Sequence, residues 1–409
     1  MQYLRATHRI VTLLVVVFTL YLSVTGTLVQ LVDFKSIFTH APATDPNVLA
    51  MHEAANGPGS YEVESAADYT AASLPAGSDF QAMLARAMPA ARTAAAGIPL
   101  RYVELRMVNG QPVAQMDAKG KLVRVDATTG ALLYMGPLPK RESDHPDSTR
   151  NTFKELHRMT TFGNYALYIN VVVGTGLAVL IVTGVWMYFK MWIPRAGAGK
   201  DSFFWISGGW WRTLHRGVSI VMALWLTVVM LSGLWLAVES LWFGFYQTRQ
   251  AAAQAAMPRG ALRGPQDNTA PMQDGELAAM LETTLTAAHE AKADNEIKVI
   301  RLRYFAGYQQ GVVVSGLDPD TQQLVFNAAT GKKMSETEPG YPQTGFPFGW
   351  QAHQTAKQIH RGSYFGLTGR MMDLLSGIAM AYLSISGIVL YWNMWQKRHA
   401  AGKSKPVWV

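Results

Sequence analysis

The chain has 409 residues, of which 49% are apolar and only 16% are charged. This composition excludes an ordinary soluble domain and favours a protein with both lipid-embedded and aqueous parts. It contains no cysteine, which excludes disulfides, thiolate-bound iron–sulfur clusters, covalently attached c-type haem and thiol redox chemistry. The net charge of +8 is carried by short segments beside apolar runs, so it indicates membrane topology and no nucleic-acid partner.

Four uncharged stretches are longer than the roughly 20 residues that a helix needs to cross a bilayer. They cover residues 10–32, 162–189, 217–238 and 374–395. The first is interpreted as a retained helix and not as a cleaved signal peptide, because its apolar run is too long and no small-x-small cleavage site follows it closely. The pattern predicts a four-helix transmembrane bundle.

The short segments beside these spans are basic. The N-terminus, the loop between spans two and three and the C-terminal tail together hold ten lysines or arginines and one acid, Asp201. Because short basic segments stay in the cytoplasm, both termini are predicted to be cytoplasmic. The two long connections, about 33–150 and 246–348, then lie on the outer side of the membrane. We expect the protein in the inner membrane of a bacterium, where the outer side is the periplasm.

This topology divides the chain into eight parts. Transmembrane helices occupy 1–34, 151–195, 213–245 and 349–398, outer domains 35–150 and 246–348, a cytoplasmic loop 196–212 and a cytoplasmic tail 399–409. Each outer domain is predicted to be α+β with a small antiparallel sheet, because a helix-period segment (79–95; 276–292) precedes strand-like runs (100–108, 113–117 and 121–125; 297–304, 311–314 and 323–326). The stretches 41–78 and 251–275 are interpreted as linkers or loosely ordered loops.

Histidine followed by arginine occurs four times, each at the start of a span: His8-Arg9, His157-Arg158, His215-Arg216 and His360-Arg361. A Thr-Gly or Ser-Gly pair follows 17 residues after the first and third histidines and 26 residues after the second and fourth. The sequences VDATTG at 125–130 and FNAATG at 326–331 also correspond, and each predicts a strand ending in a turn with glycine at positive φ. These repeats predict a duplicated helix–domain–helix unit with a pseudo-two-fold axis along the membrane normal.

The predicted topology places the four histidines at two heights. His8 and His215 lie at the cytoplasmic edge, and His157 and His360 lie at the periplasmic edge. Two facing imidazoles in an apolar bundle meet the requirement of a bis-histidine haem b, so two such haems are predicted, one for each pair. The alternative for any single histidine is an interfacial polar role.

The adjacent arginines divide in the same way. Arg9 and Arg216 are explained by the positive-inside rule. Arg158 and Arg361 lie on the outer side, where a haem propionate and a lipid phosphate are both suitable partners.

Other ionisable residues near the outer edge have less specific patterns. His353 precedes His360 by seven residues and shares its helix face, so it suits an alternative ligand, a propionate contact or an ordinary interfacial position. Glu239, Arg370 and Asp373 are candidates for pairing or for proton handling. The Thr-Gly and Ser-Gly pairs are interpreted as helix-packing positions that also make room for a porphyrin.

Together these motifs resemble the PepSY-associated transmembrane family, iron-regulated membrane proteins that include bacterial ferric-siderophore reductases. The matching segments are Thr7-His8-Arg9, Leu156-His157-Arg158, Leu214-His215-Arg216, Phe365-Gly366-Leu367-Thr368-Gly369-Arg370, the Thr/Ser-Gly pairs and the PepSY-like turns at 126–130 and 327–331. The resemblance covers nearly the whole chain. It implies PepSY-like outer domains and a dihaem oxidoreductase that takes electrons from a cytoplasmic or quinol donor and reduces ferric siderophore in the periplasm.

Two other functions remain open at this point. A non-enzymatic membrane-anchored binding or regulatory protein fits the same resemblance and predicts a colourless protein. A siderophore or metal transporter is less favoured, because the spans contain almost no buried charge and no half-helices interrupted by Gly or Pro. No G-x-G-x-x-G follows a strand, so a bound NAD or FAD domain is not expected.

Overall fold

The computed structural model describes residues 2–403 except 53–65, 99, 101, 119–120, 138–146, 201, 256–271, 306–307, 319 and 335–347. Its elements in chain order are α1 (Gln2–Phe38), α2 (Pro46–His52), α3 (Ala66–Tyr69), α4 (Phe80–Ala95), β1 (Tyr102–Val108), β2 (Gln111–Ala118), β3 (Lys121–Asp126), β4 (Leu132–Pro137), α5 (Thr149–Arg158), α6 (Leu167–Gly197), α7 (Trp210–Ala255), α8 (Asp274–Glu290), β5 (Ile297–Phe305), β6 (Tyr308–Ser315), β7 (Gln322–Asn327), α9 (Trp350–His360) and α10 (Gly366–Ala400).

Within these described residues, four helices are long and apolar enough to cross a membrane, namely α1, α6, α7 and α10. They match the four predicted spans, and the chain is a multi-pass membrane protein. Helix α1 packs against α6 and α10, and α7 packs against the same two helices. The spans therefore close into a four-helix bundle in which α1 lies diagonally opposite α7.

The helices that carry His157 and His360 are separate from the spans that follow them. Sequence reasoning placed both histidines at the start of a span, whereas the structure places them near the ends of the short helices α5 and α9. Helix α5 ends at Met159 in the left-handed region, with φ of 59°. After α9, Gly362 has φ of 71°, and a Cβ there would collide with the carbonyl oxygen of Gly369. The chain therefore turns sharply before each span begins.

The outer strands form one sheet and not two. The order is β4-β3-β2-β1-β5-β6-β7, and every neighbouring pair is antiparallel. Strand β1 pairs directly with β5, for example with Leu105 opposite Ile300. Each predicted small sheet has an open edge, and pairing these edges satisfies their backbone N–H and C=O groups. Strand β4, at one edge of the sheet, is not predicted by the sequence pattern.

Helices α4 and α8 cover one face of this sheet and bury a common core that includes Met83, Leu105, Leu281 and Phe326. Both were predicted within two residues of their observed ends. Asp79 caps α4 by accepting a hydrogen bond from the backbone N–H of Ala82, and a capping box begins α8.

The two predicted turns have the expected backbone. Asp126 Oδ1 accepts the backbone N–H groups of Thr128 and Thr129, and Gly130 follows with φ of 78°. Asn327 begins the second turn in the same way, and Gly331 has φ of 74°. A short side-chain acceptor followed by glycine thus produces the same turn in both halves.

The stretch 41–78, interpreted from composition as a linker, is partly ordered. It contains α2 and α3, and Tyr69 and Asp68 at the end of α3 are each 1% exposed. On the second face of the sheet, Arg301 and Arg106 both donate hydrogen bonds to the carboxylate of Asp68. These contacts hold the end of α3 against the sheet. The second predicted linker, 251–275, is also partly ordered, because residues 251–255 are the end of α7 and Asp274 begins α8. Residues 53–65 and 256–271 lie outside the described residues.

Candidate functional site

The bundle encloses a cavity of about 830 Å³. Its lining includes Asp373, whereas the other two ionisable candidates, Glu239 and Arg370, do not line it. It also includes His353 and all four His-Arg pairs, namely His8, Arg9, His157, Arg158, His215, Arg216, His360 and Arg361. Helices α5 and α9 lie against the bundle at the end nearer the sheet, which we call the sheet end, and His8 and His215 lie towards the opposite end. A volume of this size accommodates a large organic ligand.

His157 and His360 face each other at the sheet end. Their ring centres are 6.2 Å apart, and the ring planes differ by 28°. When two imidazoles bind one metal ion from opposite sides, metal–nitrogen bonds of about 2 Å place the ring centres about 6 Å apart. The observed spacing fits two axial ligands of a single metal.

Each of these rings packs on a small-residue pair of the neighbouring span. Nδ1 of His157 lies 3.0 Å from the carbonyl oxygen of Leu22 and 3.2 Å from Thr25 Oγ1, and the ring lies against Gly26. A carbonyl oxygen only accepts, so Nδ1 carries the proton. Nε2 is then the nitrogen whose lone pair is available to a metal.

His360 has the same arrangement on α7. Its Nδ1 lies 3.1 Å from the carbonyl oxygen of Val229 and 3.3 Å from Ser232 Oγ, and its ring lies against Gly233. The same reasoning assigns the proton to Nδ1 and leaves Nε2 unprotonated. The Ser-Gly and Thr-Gly pairs therefore hold and orient histidines, a role that sequence reasoning did not assign to them.

At the opposite end, His8 on α1 and His215 on α7 come from the two diagonal spans. Nδ1 of His8 is 2.8 Å from Thr183 Oγ1, and Nδ1 of His215 is 2.7 Å from Ser386 Oγ. The Thr183 hydroxyl donates to the carbonyl of Val179 at 2.7 Å, so its oxygen accepts from the imidazole. All four histidines thus present Nε2 as the unprotonated nitrogen.

The arginines next to these histidines differ in their contacts. Arg216 donates to the carbonyl oxygens of Trp205 and Ser207, and its guanidinium lies 4.7 Å from the centre of the Trp205 ring. Arg361 donates to Ser363 Oγ at 2.8 Å. Arg9 and Arg158 also line the cavity, so each end of it carries positive charge.

Two lysines at the sheet end belong to the site but were not predicted from the sequence. Lys154 and Lys357 line the cavity, and each lies three residues before a proposed ligand, His157 or His360. The signal was present as the repeated pattern Lys-x-x-His-Arg, because residues i and i+3 share a helix face. These cations are suited to carboxylates of a bound group.

The other ionisable residues near the sheet end form pairs. His353 donates from Nδ1 to Glu239 at 2.8 Å. Asp373 accepts from the side-chain amide of Gln30, and Arg370 lies 3.4 Å from Asp33, so Arg370 and Asp373 do not pair with each other.

The remaining histidines with described positions have ordinary roles. His40 and His399 are exposed, and His289 is paired with Asp294 on the surface at 2.6 Å. His52 stacks on the buried Tyr69 with ring centres 3.9 Å apart. His145 lies outside the described residues.

The arrangement fits haem in its donor chemistry. Haem iron takes two axial ligands, and imidazole nitrogen is a usual one. Hydrogen bonds from Nδ1–H to carbonyl or hydroxyl oxygen are the contacts that fix the tautomer of a metal-binding histidine. Cationic side chains at both cavity ends suit propionates.

Comparison with known proteins agrees with the motifs. No curated protein matches this sequence. A family model described as the PepSY-associated TM region matches residues 5–393, which is nearly the whole chain and includes all four histidines. The chain therefore belongs to the PepSY-associated transmembrane family.

Proposed function

We propose that this protein is a dihaem membrane oxidoreductase that passes electrons across the bilayer to a ferric siderophore. The observation that carries the proposal is the state of four cavity histidines, His8, His157, His215 and His360. Each has Nδ1 next to an acceptor on a neighbouring helix, which leaves Nε2 unprotonated, and His157 and His360 are spaced as axial ligands of one metal. His8 and His215 would hold the second haem.

The protein's part in this function is to bind, orient and exclude water. His157 and His360 would hold one haem b, and their Nδ1–H bonds would keep the imidazoles neutral and fix their orientation. Arg158, Arg361 and the two cavity lysines would neutralise propionates at the sheet end. Haem with two histidine ligands has no open coordination site, so it supplies one-electron transfer and not oxygen activation.

The proposed direction follows from topology. The basic short segments support cytoplasmic termini in the inner membrane, which would make the sheet end periplasmic. The electrons would come from a cytoplasmic or quinol donor, on the side of the bilayer where His8 and His215 would hold the second haem. Reduction at the periplasmic end releases iron because siderophore oxygens bind Fe(III) more tightly than Fe(II).

The matched sites in the two halves also support an internal duplication.

The first experiment is a visible spectrum of detergent-purified protein before and after dithionite, with haem quantified per chain. We expect two b-type haems. His157→Ala and His360→Ala should each remove the same haem, and the double variant should lose no more than either single variant. His8→Ala should remove the other. His289→Ala is the matched control, because this histidine is paired at the surface.

Stopped-flow reoxidation of the reduced protein by a panel of ferric chelates then identifies the acceptor. Rapid reoxidation by ferric siderophores, with slower reoxidation in the His157→Ala variant, is the expected result. A colourless protein from cells supplied with haem would contradict the proposal and support a membrane-anchored binding protein instead.

A further inference from the structure

The short helices α5 and α9 each contact a neighbouring span through their histidine and through the residue seven positions before it. On α5, His157 contacts α1 through Leu22 and Thr25, and Arg150, seven residues earlier, forms a buried ion pair with Asp33 of the same helix. Seven residues are about two helical turns, or roughly 10 Å, and place both side chains on one face.

Helix α9 repeats this arrangement with different chemistry. His360 contacts α7 through Val229 and Ser232, and His353, again seven residues earlier, donates from Nδ1 to Glu239 of the same helix. Glu239 is only 1% exposed. A buried carboxylate without a donor is costly, so its position is governed by its partner on α9.

Two attachments on one face fix the rotation of a short helix about its own axis. The Glu239 contact opposes rotation of α9 about its axis, and any such rotation turns the imidazole of His360. We propose that Glu239 is a positioning residue, which acts through His353 to set the ring orientation of His360, as Asp33 does through Arg150 for His157. This inference rests on the proposed haem-ligand role of the two histidines.

The two attachments differ in strength. Arg150 donates from Nε at 2.6 Å and from Nη2 at 3.2 Å to the two oxygens of Asp33, which is a bidentate pair. Glu239 receives one hydrogen bond on Oε2, and its Oε1 is buried without a hydrogen-bond partner among the described residues. The α9 attachment is therefore the weaker one, and ring orientation at His360 is the more easily changed.

Electron paramagnetic resonance of the oxidised protein tests this role, because the g values of a low-spin ferric haem depend on the angle between its two axial imidazole planes. That angle is 28° in this structure. In Glu239→Leu we expect full haem content but a shift of the largest g value of the sheet-end haem. Glu239→Gln keeps an acceptor for His353 and should restore the wild-type signal.

A second variant guards against misfolding of Glu239→Leu. The double variant Glu239→Leu/His353→Leu replaces a buried pair by apolar side chains, a change that proteins often tolerate, and it should show the same shift. Asp294→Asn, which alters an exposed His–Asp pair, is the control and should leave the signal unchanged.

The outcomes separate the two proposals. Wild-type protein without a Soret band overturns the haem proposal and, with it, the positioning role. Wild-type haem content with an unshifted signal in both the Glu239→Leu and double variants overturns the positioning role alone.

Discussion

The glycines beneath His157 and His360 leave no room for a methyl group. A Cβ on Gly26 would lie 3.0 Å from Cε1 of His157, and one on Gly233 would lie 2.8 Å from Cε1 of His360. Favourable carbon–carbon contacts begin at about 3.5 Å. Alanine at either position must therefore displace the imidazole by several tenths of an ångström or push two helices apart.

The change in the free energy of unfolding caused by either Gly→Ala substitution is the sum of two opposing contributions. Overpacking a tight interior costs roughly 1–3 kcal/mol, and replacing a helical glycine by alanine gains about 1 kcal/mol. The net cost of about 0–2 kcal/mol leaves the fold intact. The strain is relieved mainly at the imidazole, because a side chain rotates more easily than a packed helix moves.

The assay is haem content and the ferric spectrum of purified Gly26→Ala and Gly233→Ala. We expect each to lose the sheet-end haem or to convert it from low spin to high spin, while the other haem remains. The matched control is Gly184→Ala, where the new Cβ would lie at an ordinary 3.6 Å from Cε1 of His8. Equal spectra for Gly233→Ala and Gly184→Ala would refute the packing argument.

Three further outcomes are expected. Thr183→Val removes the acceptor of the His8 Nδ1–H and should weaken retention of the second haem about 10–100-fold in a transfer assay to apomyoglobin, whereas unchanged retention contradicts the tautomer assignment. Arg301→Met leaves the two buried carboxylates of Asp68 and Glu104 to share Arg106, so one negative charge is uncompensated, and it should cost about 3–5 kcal/mol in thermal unfolding of the sheet. Arg92→Met in an exposed pair should cost about 0–1 kcal/mol, and equal costs contradict the burial argument. Burial alone would raise the pKa of Glu104, but the neighbouring arginines lower it from 4.5 to about 2, so its stabilising effect is complete above pH 4.5 and disappears as pH falls towards 2. Circular dichroism during an acid titration checks this. Unfolding of the sheet that is already complete above pH 5 would contradict it.

Local signals predicted the elements but not how they meet. The spans follow from length and apolarity, helices α4 and α8 from periodicity, and the turns at Asp126 and Asn327 from their short acceptor side chains and glycines. Strand β4 was missed because its residues are mostly exposed and show no alternation of burial. The pairing of β1 with β5 was also missed, because residues nearly 200 positions apart give no local pattern.

For the candidate site as well, the sequence predicted the residues but not the contacts between them. Sequence repeats selected eight of the cavity-lining residues, since the four His-Arg pairs recur with equal spacings, and the seven-residue spacing from His360 selected His353. The sequence marked Glu239, Arg370 and Asp373 as candidates for pairing but did not identify their partners, which are His353, Asp33 and Gln30. These contacts join helices that are distant in the chain, so no spacing rule predicts them.

The sequence by itself determined the four apolar spans, the helices and turns of the outer region, and the set of histidines, because each depends on composition and short-range periodicity. Only the tertiary structure decided that two half-sheets join edge to edge and that His157 and His360 lie on separate short helices. It also decided that every cavity histidine donates Nδ1–H to another helix. These features depend on packing between distant segments, where the shape of the closed bundle selects one partner among several that the sequence allows.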